Sequence, residues 1–169
     1  MNLRRLLALA LSLTLPSCAG YQLGGHKPSR LQGIQKLAVP TFDNQTLEPR
    51  LSSVVTNSLI KQIQTDGSYQ IASKDDAEAV LEGTIMRVDR SQFRSLRQNV
   101  LRTSQLQMRL TVNYVIKDAA SGRPIHRGTS SAISYVILDS NVQNSEAQAL
   151  DDAAQRLASN LANEISEGW

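Results

Sequence analysis

The sequence predicts an α+β domain: a mostly antiparallel or mixed sheet of four to five strands with two helices packed on one face. Three observations predict it. Long segments with alternating apolar residues occupy the middle of the chain, a segment with helical periodicity precedes them, and a second helical segment follows them. This order of strand, helix, several strands and helix is typical of α+β folds. With 169 residues, the chain is long enough for one domain with its own core.

The first strand is predicted from Leu37 to Phe42, a short apolar run that contains Pro40. Proline cannot donate to a sheet ladder, so we expect this strand to lie at an edge or to end at Pro40.

A helix follows this strand. Apolar residues recur every four positions, at Leu47, Leu51, Val55, Leu59 and Ile63. Thr46 is a suitable N-cap, Pro49 is tolerated in the first turn, and Asp66-Gly67 ends the helix.

Four further strands are predicted. A short one surrounds Tyr69–Ile71, and a longer one runs from Ala79 to Phe93. Residues 106–116 alternate without a break between apolar and mostly polar side chains, which predicts a strand with one buried face. A turn containing Ser121-Gly122 leads to a strand from Ile125 to Ile137.

The last helix is predicted to begin at Ser145, because Ser145 and Gln148 have the spacing of a capping box. Its apolar stripe consists of Ala147, Leu150, Ala154, Leu157, Leu161 and Ile165. Alanine in this stripe allows the helix to approach a sheet closely.

The N-terminus has the pattern of an export signal. Two arginines precede an apolar run from Leu6 to Leu15, which is about half the length that a transmembrane helix needs. The tetrapeptide that ends in Cys18 resembles a bacterial lipobox, in which the cysteine is acylated after cleavage before it. We therefore expect a signal peptide (1–17), a lipidated tether (18–35) and a single α+β domain (36–169). The alternative is an ordinary signal peptide with an incidental cysteine.

The sequence offers little chemistry for catalysis. It has one cysteine and two histidines, and it lacks a phosphate loop, a nucleophile elbow and any metal-ligand spacing. The adjacent acids Asp75-Asp76 and Asp151-Asp152 would point apart on a turn or helix. We expect no enzyme, no metal and no cofactor.

The charge distribution suggests an anion site. From Arg87 to Arg109 there are six arginines and one acid, whereas Ser145–Glu167 contains five acids and one arginine. Arginine binds phosphate through two parallel hydrogen bonds, so we expect Arg90, Arg94, Arg97 and Arg102 to bind an anionic headgroup. The alternative is a solvated hairpin. Export, and Phe93 as the only aromatic residue there, argue against nucleic acid.

Several segments, taken in order, resemble the LptE family of lipopolysaccharide-assembly lipoproteins. They are Cys18–Leu23, Ala38–Thr46, Leu51–Leu59 and Ala77–Ile85. The resemblance implies an outer-membrane lipoprotein that plugs the LptD β-barrel, helps to assemble it, and delivers lipopolysaccharide to the outer leaflet. It implies a lipid-anchored position at the cell outer membrane, on the periplasmic side or inside the barrel lumen. Ala19 agrees with the outer membrane, because aspartate at this position retains enterobacterial lipoproteins in the inner membrane.

Two other functions stay open at this point. The segment from Val39 to Asn44 also resembles curli-type secretion-channel lipoproteins, so such a lipoprotein or another envelope-assembly adaptor is the main alternative. A lipid-anchored envelope hydrolase is the second, although the sequence shows no catalytic set for it.

Overall fold

A computed structural model describes residues 27–94, 104–138 and 142–167. In this part of the chain there are six strands and two helices. They are β1 (Lys36–Ala38), β2 (Asp43–Asn44), α1 (Leu51–Asp66), β3 (Gln70–Ile71), β4 (Ala79–Arg94), β5 (Ser104–Asp118), β6 (Pro124–Leu138) and α2 (Val142–Glu167).

The strands form one mixed sheet in the order β3-β1-β4-β5-β6, and the short strand β2 also pairs with β4. Strand β1 is parallel to β3 and β4, whereas β4, β5 and β6 are antiparallel neighbours. Strand β1 ends before Pro40, as predicted, but it lies inside the sheet rather than at its edge. The predicted α+β class is confirmed, and β2 is the strand that the sequence did not indicate.

One continuous core lies between the sheet and both helices. On β5 the alternating residues Met108, Leu110, Val112, Tyr114 and Ile116 are buried, which confirms the predicted buried face. We call this side of the sheet the helix face and the other side the open face.

Helix α1 begins later than predicted. Leu47 is 97% exposed, and Arg50 occupies the N-cap position without a side-chain cap. Thr46 is therefore not the N-cap, and Leu47 is not part of the buried stripe. The reason is a turn that uses the same polar groups: the Thr46 hydroxyl donates to Asn44 Oδ1 at 2.7 Å and accepts from the Glu48 N–H at 3.2 Å. These bonds keep the chain in a turn, so the helix begins only after Pro49.

The predicted end of α1 is confirmed. Gly67 has a left-handed φ of 73° and donates its N–H to the carbonyl of Ile63. Glycine adopts this conformation without a steric penalty, so it ends the helix at Asp66.

Helix α2 begins at Val142, so Ser145 lies inside the helix and the predicted capping box is wrong. The residues of the predicted apolar stripe are buried, apart from Ala147, which is half-buried. The buried side of the helix also includes Ala149, Ala153, Ala158 and Ala162. Small residues face them on β6, where the buried Ser134 hydroxyl donates to the Ala149 carbonyl at 2.6 Å. Helix and strand can approach closely because both surfaces are small.

Residues 27–35, assigned to the tether by the sequence, pack against the domain. Leu31 is buried in the core. The Lys27 ammonium lies 4.1 Å from the centre of the Tyr69 ring and donates to the carbonyl of Ile34. Burial raises the pKa of Tyr69 to about 12, and its hydroxyl donates to the Ile165 carbonyl at the end of α2.

Candidate functional site

A break in the β4–β5 ladder decides where Arg90 lies. The register steps from Ile85 opposite Val112 to Arg87 opposite Thr111, so Met86 is an extra residue in β4. Such a bulge reverses the faces of the residues that follow it, here as far as the second break after Gln92, because side chains alternate with a period of two. Arg90 is consequently opposite Met108, on the helix face.

At this end of the sheet, Arg90 joins two carboxylates from different elements. Its Nη2 atom lies 2.7 Å from Glu48 Oε1, in the turn before α1, and its Nε atom lies 3.6 Å from Glu146 Oε2, near the start of α2. All three side chains are partly exposed, with 37% for Arg90. The arginine therefore ties the start of both helices to the sheet, and its charge is already compensated.

A cavity of about 210 Å³ lies beside this cluster, between the first turns of α1 and α2. Leu51, Val54, Ala147 and Leu150 form its apolar wall, and Glu48, Glu146, Arg50 and Asp151 contribute polar groups. Its charged rim is mostly acidic, so it does not suit an anionic ligand.

Two other arginines of the predicted basic segment, Arg87 and Arg109, lie on the opposite face of the sheet from Arg90. Arg87 projects from the open face, where its Nε lies 2.9 Å from Asp89 Oδ2. Arg109 is opposite Asp89 on the same open face. Arg94 is the last residue of β4 and pairs with Gln105, while Arg97 and Arg102 lie outside the described residues, as does Cys18. The structure thus separates Arg90 from Arg87 and Arg109.

Three of the four carboxylates in the acidic pairs have partners in the described part of the chain. Asp151 lies 4.0 Å from Arg50, and Asp152 accepts a hydrogen bond of 2.8 Å from Arg156, one turn along α2. In the first pair, Asp76 accepts from the Ser73 hydroxyl at 2.9 Å.

His126 contacts the hydroxyl of Tyr114 at 3.2 Å. Burial, and then the nearby Glu164 carboxylate, raise the pKa of that tyrosine above its usual value, so it stays protonated and serves as a hydrogen-bonding group rather than a base. Within residues 27–94, 104–138 and 142–167, no three His, Cys, Asp or Glu side chains are grouped to hold a metal ion.

Glu48 and Glu146 were not predicted as partners of Arg90. The phase of apolar residues in β4 contained the necessary information: Leu81 and Ile85 occupy odd positions, whereas Met86 and Val88 occupy even ones. A shift of phase within one strand indicates a bulge.

In the described part of the chain, neither helix is long and apolar enough to cross a membrane.

Comparison with known structures supports the fold. The minor lipoprotein from Acinetobacter baumannii is similar with a TM-score of 0.54 and 16% identity, covering 79% of this chain and 93% of that one. A hypothetical protein from Chlamydia trachomatis is similar with a TM-score of 0.56 and 10% identity, covering 78% and 95%. A protein from Xanthomonas campestris has a TM-score of 0.52 and 12% identity, covering 76% and 81%. At these identities, the likeness shows the fold alone.

A search of the curated proteins finds no match to this chain. The family model described as "LptE: Lipopolysaccharide-assembly" matches residues 34–165, which include every strand and nearly all of both helices. This match decides between the two lipoprotein families that the sequence segments resembled. The chain belongs to the LptE family and is a lipopolysaccharide-assembly lipoprotein of the bacterial envelope.

Proposed function

We propose that this protein is anchored in the outer membrane through acyl chains on Cys18, lies inside the lumen of an LptD-like β-barrel, helps that barrel to assemble, and assists delivery of lipopolysaccharide to the outer leaflet. The observation that carries the proposal is the family match over residues 34–165. The described residues support a binding rather than a catalytic role, since His126 and three of the four acidic-pair carboxylates have structural partners.

The contact with lipopolysaccharide is proposed at the end of the sheet where β4 stops and β5 starts. Arg94 closes β4, and Arg97 and Arg102 follow before β5. Arg90 belongs to the same proposed set, but its two ion pairs with Glu48 and Glu146 must open before it can bind a phosphate. Direct contact with the headgroup therefore rests mainly on Arg94, Arg97 and Arg102.

The partner is tested by purification of the lipidated protein from outer membranes in mild detergent. We expect one large β-barrel protein to copurify at about equal stoichiometry. Recovery of a ring of identical subunits instead would contradict the proposal and support a secretion-channel lipoprotein.

The anchor is tested by Cys18→Ser. Lipidation and cleavage before the cysteine both require its thiol, so we expect the variant to stay unprocessed or to lose membrane association. Cell fractionation and the mass of the purified chain measure this. A variant that is still cleaved after residue 17 and still fractionates with the outer membrane would disprove lipidation at Cys18.

The headgroup contact is tested by Arg94→Asp combined with Arg97→Asp. A charge-assisted hydrogen bond contributes roughly 1.5 to 3 kcal/mol, so we expect lipopolysaccharide to bind at least about tenfold more weakly, with a smaller loss at high salt. The control is Arg123→Asp with Arg127→Asp, which makes the same change of charge on exposed residues at the other end of β6. Equal binding by both double variants would show that overall charge, rather than this end of the sheet, determines affinity.

A further inference from the structure

The two edges of the sheet are protected to different degrees. Strand β3 forms one edge and has two residues, whereas β6 forms the other and has 15. Native proteins usually keep edge strands short or place charges and prolines on them, because a long edge strand offers its backbone groups to other chains. Strand β6 does not follow this rule in its second half.

The backbone of β6 identifies the residues that face outward. Asn160 of α2 donates to the carbonyl of Ser131 at 3.0 Å, so this carbonyl points away from β5. The β5–β6 pairing is regular from Ile116 to Ser104, and backbone groups in an antiparallel pair alternate between the two sides. The N–H and C=O groups of Ile133 and Ile137 therefore lie on the same outer edge as those of Ser131.

The side chains along this edge suit pairing with an uncharged strand. From Gly128 to Leu138 the chain contains no charged residue and no proline. Ile137 is 58% exposed and Tyr135 is 49% exposed, and both project from the open face. A segment of this composition has high β propensity and no charge to repel a neighbouring strand.

The surroundings of the edge favour a single extended segment over a second copy of this chain as the occupant. Helix α2 packs on α1, β6 and β5, and Asn160 of α2 donates to an outer carbonyl of β6. Antiparallel pairing of β6 with a second β6 would place two α2 helices side by side on the same face of the joined sheet, where they would have to pack against each other with their axes about 8–10 Å apart. A single extended segment without a helix fits beside the strand, where the edge, α2 and Arg109 of β5 border a cleft of about 400 Å³. The other charged residue that lines this cleft is Arg156, which is paired with Asp152.

We propose that the edge of β6 from Ile133 to Ile137 binds an extended, uncharged segment of another protein, which adds to the sheet as a further strand. The backbone hydrogen bonds of the edge provide the affinity, and the apolar side chains on the open face select an uncharged partner. The inference does not depend on lipopolysaccharide binding.

The test uses the mature lipoprotein, labelled with ¹⁵N, in detergent. The probe is a synthetic peptide with the sequence of residues 130–138, flanked by lysines for solubility. We expect the peptide to slow amide hydrogen exchange at Ile133 and Ile137 at least tenfold, because their N–H groups become bonded. The amide of Ser134, which faces β5, serves as the internal reference.

Two controls separate backbone pairing from apolar contact. A peptide with N-methyl groups on two neighbouring central residues loses a donor on each of its edges, and it should bind at least tenfold more weakly. In the protein, Ile137→Pro removes an outward N–H without affecting the ladder to β5, whereas Ile137→Thr keeps that N–H; only the proline variant should lose binding. Melting temperatures check that both variants fold.

Three results would overturn the proposal. Exchange at Ile133 and Ile137 that the peptide leaves unchanged would show that the edge binds no strand. Equal binding of the N-methylated peptide would show that side chains alone bind it. Sedimentation of the protein alone as a dimer that the peptide dissociates would make a second copy the occupant.

Discussion

The backbone of Gly83 lies directly under the ring of Phe42, and replacing this glycine with alanine tests the described core. A Cβ atom at Gly83 would be 2.2 Å from Cε2 of the ring and 2.4 Å from Cδ2 and Cζ, far inside van der Waals contact. The ring has little room to move. Phe42 is buried, and its backbone N–H donates to the Thr56 hydroxyl at 3.0 Å.

The magnitude follows from two opposing effects. Overpacking of this kind costs about 1–3 kcal/mol, since the ring and its neighbours must shift. Alanine recovers roughly 0.5–1 kcal/mol of that cost, because glycine loses more backbone entropy in a strand. The difference is about 0–2.5 kcal/mol, and the severe overlap at 2.2 Å places Gly83→Ala in the upper part of this range. We therefore expect the free energy of unfolding to fall by about 1–2.5 kcal/mol, which corresponds to a fall in melting temperature of roughly 2–10 °C.

Thermal and urea unfolding of the mature protein measure this change. The control is Gly33→Ala, where a Cβ atom meets nothing within 4 Å and stability should not fall. In the double variant Gly83→Ala with Phe42→Leu, the smaller side chain relieves the overlap, so the combined loss should be less than the sum of the single losses. A Gly83→Ala protein as stable as the parent, or strict additivity in the double variant, would refute the packing described for Phe42.

Two further predictions concern charged groups. Hydrogen bonds from the backbone N–H groups of Gln35 and Lys36 lower the pKa of Glu78 in the folded protein. The stability that Glu78 contributes is therefore complete above the unfolded carboxyl pKa of about 4.3. It is lost as the pH falls through the lower pKa of the folded state. In the Glu78→Gln variant the melting temperature should therefore fall less steeply with decreasing pH in this range. A variant whose melting temperature depends on pH as the parent's does would contradict this role of Glu78. Because Arg90 is partly exposed, Arg90→Gln should reduce the free energy of unfolding by no more than about 1 kcal/mol, with the difference from the parent shrinking in high salt. A loss of several kcal/mol in urea unfolding would show that this cluster holds the helices more strongly than its exposure indicates.

The sheet was predictable from the sequence because its strands are long and one face is buried. Residues 106–116 alternate without interruption, and the structure buries this face in a single register. The helix starts were not predictable in the same way. Thr46 has the chemistry of an N-cap, but its hydroxyl forms hydrogen bonds within a local turn. A threonine hydroxyl can bond either to the N–H groups at a helix start or to groups in a turn, and the sequence does not show which it will do.

The charged end of the sheet was only partly predictable. Counting arginines located the basic segment, but a count contains no information about which face each side chain occupies. One extra residue, Met86, sends Arg90 to the helix face, and the carboxylates that meet it come from segments 42 and 56 positions away. Contacts between such distant segments depend on how the helices pack, which local periodicity does not determine.

The packing of residues 27–35 fixes the end of the domain at which the N-terminal segment leaves it. Lys27 lies at Tyr69, beside the last turn of α2, whereas Arg90 lies near the first turns of both helices. Along β4, the eleven steps from Ala79 to Arg90 measure roughly 35 Å at the rise of an extended strand. This length slightly exceeds the thickness of a bilayer's hydrocarbon core, about 30 Å. In the proposed anchored state, the domain therefore separates its arginine-rich end from its N-terminal attachment by about the thickness of a hydrocarbon core.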